Sequence, residues 1–171
     1  RLEAYVDNSK KMLAWMEENT HLRLDALEEY CDYYPEAPGG KAGGRSMEPV
    51  TFDATRLGDA FAQLRLPHPQ SQVMGKFGIT AREAHGYLVP TFFTKLKLVW
   101  RMIQYALRFF KRKGGRDTKL HAGNALIARL RRSILDQNIE LRLNSPVEEL
   151  VIEEGQVKGA VVKKGDEVLR I

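Results

Sequence analysis

Cysteine is nearly missing: Cys31 stands alone among 171 residues. A single thiol excludes a disulfide framework and a cysteine-based zinc site within one chain, and it makes a reducing compartment, the cytoplasm, the expectation. Histidine is sparse, at 21, 68, 85 and 121, and no two lie at the i, i+4 spacing that puts two ligands on one helical face, so no metal site is expected. His68 sits between two prolines, the context of an exposed loop imidazole. No uncharged run approaches the roughly 20 residues of a membrane-spanning helix. No Gly-x-Gly-x-x-Gly turn is present to meet a dinucleotide pyrophosphate; Gly39-Gly40 and Gly43-Gly44 have the wrong spacing, and Pro35 and Pro38 crowd the approach. No Gly-Lys pair precedes Ser or Thr, which excludes a P-loop, and no Gly-x-Ser-x-Gly elbow offers a nucleophile. A secretory leader and an initiator Met are both missing, and Arg1 falls inside a helical pattern, so the chain reads as an internal piece of a longer protein.

The composition that remains is that of a globular domain, 43% hydrophobic with a net charge of +5. Much of that charge is local. Between Thr91 and Lys113 there are seven basic residues and no acidic one. At 100° per residue, Phe92, Leu96, Val99, Ile103, Leu107 and Phe110 share one side of a helix, and Lys97, Arg101, Arg108 and Arg112 share the other. Such a helix fits a lipid headgroup zone, or the surface of its own protein with a solvated basic face. Gly114-Gly115 then ends it.

Elsewhere the spacing of Leu2, Tyr5, Val6, Met12, Leu13 and Met16 predicts an amphipathic helix over residues 2–19, followed by a short extended stretch through Leu22, Leu24 and Leu27. Residues 35–49 hold three prolines and four glycines, which predicts a shaped loop without a regular element. A short helix is expected over 55–64, capped by Asp53 or Thr55, with Leu57, Phe61 and Leu64 on one face. Residues 70–89 carry no decisive period. A helix near Gly123-Asn124 runs to about Gln137 on the stripe Leu126, Ile127, Leu130, Ile134 and Leu135. Strands are expected over 139–143, 147–153, 156–163 and 167–171, the last three joined by the hairpin turns Glu154-Gly155 and Lys164-Gly165-Asp166. The fold class is therefore α+β, several helices with a small antiparallel meander at the C-terminal end. Its organisation is residues 1–64, a variable helical insert 65–120 with the basic helix, and a helix plus meander over 121–171.

Tyr30, Tyr33 and Tyr34 precede the glycine-rich loop, where backbone can approach a bound molecule closely. They suit proton transfer or simple packing. A tyrosine, with an ordinary pKa of about 10, needs a second hydroxyl, a cation or a desolvated partner to act near neutral pH.

The string D-Y-Y-P-E-A-P-G-G-K-A-G-G-R-S-M-E-P at 32–49, continued by F-D-A-T-R-L-G at 52–58, resembles the loop of 3-ketosteroid Δ1-dehydrogenases. The tail 123–162, with P-V-E-E-L-V-I-E-E-G-Q-V-K-G-A-V-V, is similar to the wider fumarate-reductase-like flavoproteins. The resemblance implies part of an FAD-binding domain without its Rossmann βαβ start, upstream of a catalytic domain, in an enzyme that sends a hydride from C1 of the steroid A ring to FAD and a C2 proton to a tyrosine. Tyr33, or Tyr34 if the register is off by one, matches the tyrosine that assists proton abstraction. Val147 matches a position whose backbone meets the FAD adenine. FAD is expected in the full-length protein and not on this piece alone, which is expected to be inactive. Steroid and FAD are then the partners, with membrane contact through residues 91–113 and self-association through surfaces that normally face the rest of the protein. The alternatives are another flavoprotein of the same superfamily with a different substrate, and a basic module for membrane or nucleic acid; no nucleic-acid reader motif accompanies the charge.

Overall fold

The computed structural model describes residues 1–88, 91–111, 116–165 and 167–171. They form two units, Arg1–Gln137 and Asn138–Ile171.

The first unit opens with helix α1 (Leu2–Asn19), as its apolar spacing predicts. Thr20 ends it by turning to extended backbone while its N–H bonds back to Met16 O. No residue of the apolar stripe of α1 is fully buried: Leu2, Tyr5, Val6 and Met12 are exposed, and Leu13 and Met16 half-buried. The chain then forms β1 (Leu24–Ala26), whose antiparallel partner β2 (Met47–Pro49) lies at the end of the proline and glycine segment, where no regular element was expected. A two-stranded ribbon thus closes the loop between them.

Next, β3 (Phe52–Asp53) leads into 3-10 turns over Ala54–Gln63. Asp53 caps them, accepting from the Thr55 N–H at 3.0 Å and the Thr55 hydroxyl at 2.8 Å. In place of the regular helix expected, a break falls at Gly58, which has φ +56° and ψ −129°, backbone that glycine adopts without strain. Leu57, Phe61 and Leu64 are buried together as their spacing predicts. The stretch without a clear period becomes β4 (Gln72–Val73), β5 (Phe77–Gly78) and α2 (Ala81–Leu88), elements too short to set one.

Helix α3 (Phe92–Leu107) starts at a capping box between Thr91 and Thr94. Its orientation corrects the sequence reading. Arg101 is buried and Arg108 half-buried, while Phe92, Leu96, Val99, Ile103, Leu107 and Phe110 are all exposed. Two of the residues assigned to a solvated or headgroup-facing stripe are instead the ones that dock the helix. The expected stop at Gly114-Gly115 lies outside the described residues.

After β6 (Lys119–Leu120), which pairs with β3, helix α4 (Ala122–Asp136) crosses the core. Ala125 and Ala128 are fully buried, so the helix backbone comes close to Phe52 and the 3-10 turns. Arg129, 8% exposed, donates to the carbonyls of His21 at 2.8 Å, Val50 at 2.9 Å and Thr51 at 2.9 Å. One side chain therefore ties α4 to both strands of the β1–β2 ribbon at the end opposite its loop.

The second unit is the expected meander, β7 (Val147–Glu153), β8 (Gln156–Lys164) and β9 (Glu167–Arg170), in that order and antiparallel. Glu154 and Gly155 both have positive φ, the backbone of a two-residue type I′ turn. Asp166, assigned to the second turn, lies outside the described residues. The strand expected over 139–143 is irregular backbone. Ile139, Leu141 and Leu143 are exposed, and among the described residues no strand pairs with them, so β-propensity alone leaves the ladder unmade.

Arg129→Met should lower stability by about 3 kcal/mol, because three carbonyls lose their donor together. A shift of the urea midpoint at constant slope would measure it; a midpoint unchanged by the substitution would show that water replaces the guanidinium without penalty.

Candidate functional site

The loop between β1 and β2 carries Tyr30, Tyr33 and Tyr34, and its shape comes from contacts it makes with itself. Leu27 N–H donates to Ser46 O at 2.8 Å and Gly44 N–H to Leu27 O at 2.9 Å, extending the ribbon by one step. Asp32 and Lys41 are joined by two hydrogen bonds: Asp32 N–H donates to Lys41 O at 3.0 Å, and Lys41 N–H donates to the Asp32 carboxylate Oδ2 at 2.9 Å. Arg45 lies 3.4 Å from the same carboxylate and donates to Gly39 O. Asp32 is thus the residue on which the loop folds back, immediately before Tyr33. A Cβ on Gly43 would overlap the Glu28 carbonyl oxygen, and one on Gly40 would lie 2.5 Å from the carbonyls of Tyr34 and Pro35. Close backbone approach, as well as turn conformation, requires glycine here.

Tyr33 is 94% exposed and Tyr34 75%. Both face an open cleft of about 850 Å³, whose other walls include Met47, Glu48, Gly123 and Leu126. The structure therefore gathers the tyrosines with the start of α4, a neighbour that nothing in the sequence spacing connects to them. Val147, 57% exposed, opens β7 in the second unit, where it pairs with Val162. Cys31 is exposed on the same loop.

Helix α2 braces the loop from outside: Arg82 donates to Ala26 O at 3.0 Å, His85 pairs with Glu29 at 3.0 Å, and Glu48 accepts from the Ala81 N–H at 2.8 Å. Behind the start of α4 lies a polar cluster that sequence reasoning missed. Arg101 Nε sits 3.2 Å from Glu83, and an Arg101 amino nitrogen lies 2.9 Å from His121 Nε2 and 3.2 Å from Gly78 O. Burial, then the Arg101 and Lys119 cations, hold the His121 pKa down to about 4. His121 is therefore neutral at physiological pH and accepts from Arg101. Lys119 is also pushed below its ordinary value, by burial and then by Arg101. The partners of Arg101 lie 18 to 23 positions away, so no local pattern marks them. Among the described residues, no group of three His, Cys, Asp or Glu is arranged to hold a metal.

The FAD binding domain family matches residues 1–171, and the chain belongs to that family of flavoproteins. Within it, the chain is 34% identical over 167 residues to the 3-oxosteroid 1-dehydrogenase of Comamonas testosteroni, covering 96% of this chain and 29% of that protein. It is 29% identical over 167 residues to the 3-oxosteroid 1-dehydrogenase of Mycobacterium tuberculosis, covering 98% and 29%. The solved 3-ketosteroid delta1-dehydrogenase of Sterolibacterium denitrificans, in complex with 1,4-androstadiene-3,17-dione, superposes with a TM-score of 0.92 at 37% identity, over 99% of this chain and 31% of that one. The chain thus spans under a third of the length of these relatives, and its α+β architecture is the fold of the corresponding part.

A Cβ on Gly123 would meet nothing within 4 Å, leaving flat access to the cleft, and α4 starts with no side-chain cap, so its first-turn N–H groups form a positive end. Nothing in this sequence supplies the glycine cradle for a diphosphate.

His121 gives a pH dependence whose sign follows from its depressed pKa. Between pH 6.5 and about 4 the unfolded chain takes up a proton that the folded one does not, so stability falls as pH falls through that window. The loss is on the order of 3 kcal/mol when complete. Denaturation midpoints at pH 7 and pH 4.5 should differ more for the wild type than for His121→Gln; parallel losses would assign the effect to other groups. Separately, Gly43→Ala should open the loop, seen as faster proteolysis within residues 27–46 and a stability loss of about 1–3 kcal/mol.

Proposed function

We propose that this chain is the flavin-domain segment of a 3-ketosteroid Δ1-dehydrogenase. The observation that carries the reading is the tyrosine loop, residues 32–49, folded on Asp32 and standing over a cleft that the start of α4 also lines. FAD, when bound in the parent protein, supplies the acceptor for a hydride from C1 of the steroid A ring. The C2 proton is acidic because it lies next to the C3 ketone, and it passes to a tyrosine as the C1–C2 double bond forms. Tyr33, or Tyr34 one place on, is the assisting hydroxyl: a hydrogen bond from a second phenol favours the charged form of the tyrosine that takes the proton. Asp32 fixes where that hydroxyl stands. The Val147 backbone, at the opening of β7, meets the adenine. The segment by itself is expected to hold FAD weakly and to be inactive.

A second reading concerns location. The outward apolar row of α3 favours contact with a membrane surface by a protein that works in the cytoplasm, close to where an apolar steroid dissolves. No helix among the described residues is long and apolar enough to cross a membrane. Self-association through the exposed faces of α1 and α3 is the competing use of the same surface.

Full-length parent protein should be yellow and should desaturate a 3-ketosteroid. Tyr33→Phe should lower kcat about a hundredfold with flavin retained, and Tyr34→Phe should change it by less than about threefold. The reverse pattern would move the role to Tyr34, and a colourless or steroid-inert parent would remove the assignment.

A further inference from the structure

The tyrosine loop is fastened at its base by α2, and α2 is fastened by Arg101. Ala26 and Met47 are the last paired residues of the β1–β2 ribbon before the loop. Arg82 donates to the Ala26 carbonyl at 3.0 Å, and both oxygens of Glu48, next to Met47, accept from the Ala81 N–H at 2.8 and 2.9 Å. The first turn of α2 thus holds both strands at the end where Tyr33 and Tyr34 leave. That turn is itself closed by a capping box: Thr80 N–H donates to Glu83 Oε2 at 2.9 Å, and Glu83 N–H to the Thr80 hydroxyl at 3.0 Å. Glu83 Oε1 is left for Arg101, whose Nε lies 3.2 Å away.

Arg101 also reaches the other wall of the cleft. One amino nitrogen lies 2.9 Å from Nε2 of His121, the residue that precedes α4, and Gly123 and Leu126 of that helix line the cleft with the tyrosines. The same nitrogen donates to Gly78 O at 3.2 Å, and β5 lies flat on the imidazole, since a Cβ on Gly78 would stand 2.9 Å from His121 Nδ1. A planar guanidinium with several donors can bridge three elements in this way, whereas the ammonium of a lysine offers a single nitrogen. Glu83 and Arg101 are not among the residues that line the cleft, so both act on it through other elements.

We propose that Arg101 and Glu83 are positioning residues for the assisting tyrosine: together they set the separation of the two cleft walls, and with it where the phenol stands. The inference rests on the role of the loop tyrosine proposed above. A displacement of about 1 Å in a positioned group is enough to cost on the order of a hundredfold in rate.

The test is a double-mutant cycle in the full-length flavoprotein, combining Glu83→Gln with whichever of Tyr33→Phe and Tyr34→Phe lowers turnover. Glutamine keeps the shape and the capping oxygen and loses the ion pair. Glu83→Gln should lower kcat on a 3-ketosteroid about tenfold with flavin content unchanged, yet lower it by less than about twofold further once the phenol is gone, because an absent hydroxyl cannot be misplaced. Arg101→Lys should follow the same pattern. Arg82→Met, at an exposed position, removes the bond to Ala26 without disturbing the buried junction, and it should give the same non-additivity even if the other two variants fail to fold. Equal losses with and without the phenol would overturn the proposal, since a general weakening of the structure would act in both backgrounds. Unchanged kcat in the variants of α2, beside a tyrosine variant that is impaired, would overturn positioning and leave the role of the loop standing. If neither tyrosine variant lowers kcat, the reading of the loop fails and the positioning falls with it.

Discussion

Arg129 holds the first unit together at the point where three carbonyls converge. Its guanidinium reaches His21, Val50 and Thr51 from α4 and lies 5.6 Å from the centre of the Phe52 ring, so it is both hydrogen-bonded and packed. Burial lowers its pKa, a cost that the three acceptors offset. Without it the ribbon that carries the tyrosine loop would keep its few backbone bonds and its contacts with α2 but lose its main tie to α4. Ser133, one turn further along α4, accepts from the His21 N–H at 2.8 Å and reinforces the same junction. The cleft therefore inherits its shape from a contact that is not part of it.

The arginines of α3 illustrate the same principle at a different surface. A helical wheel sorts residues by polarity and assumes that the polar side meets solvent. That assumption fails when carboxylates and an imidazole wait inside. Glu83, Asp117 and His121 all belong to other elements, and they make the arginine side of α3 the complementary one. The position of the helix was legible; the direction it faces was not, because direction is set by partners distant in sequence.

The loop shows what a sequence does reveal. Four glycines and three prolines mark residues 35–49 as shaped backbone, and the string at 32–49 carries the resemblance to a flavoprotein family. The 3-10 turns of Ala54–Gln63 were legible as an apolar face but not as 3-10, since Gly58 breaks a period that Leu57, Phe61 and Leu64 otherwise keep. Residues 139–143 alternate like a strand and are not one, because alternation states a preference that only a neighbouring strand can satisfy. Gly123 and Leu126 reach the cleft by tertiary folding alone, so no local pattern announces them.

The reach of Arg129 also orders events in time. Its bonds to His21 and Val50 span 108 and 79 positions, whereas the β7–β8 hairpin closes over a two-residue turn. Local pairing forms quickly and long loops close slowly. On a ribosome, the tyrosine loop and its ribbon would emerge long before the arginine that fastens them. Phe52, Leu57 and Phe61 would wait uncovered while residues 62–124 are made, an interval in which a nascent chain is exposed to aggregation.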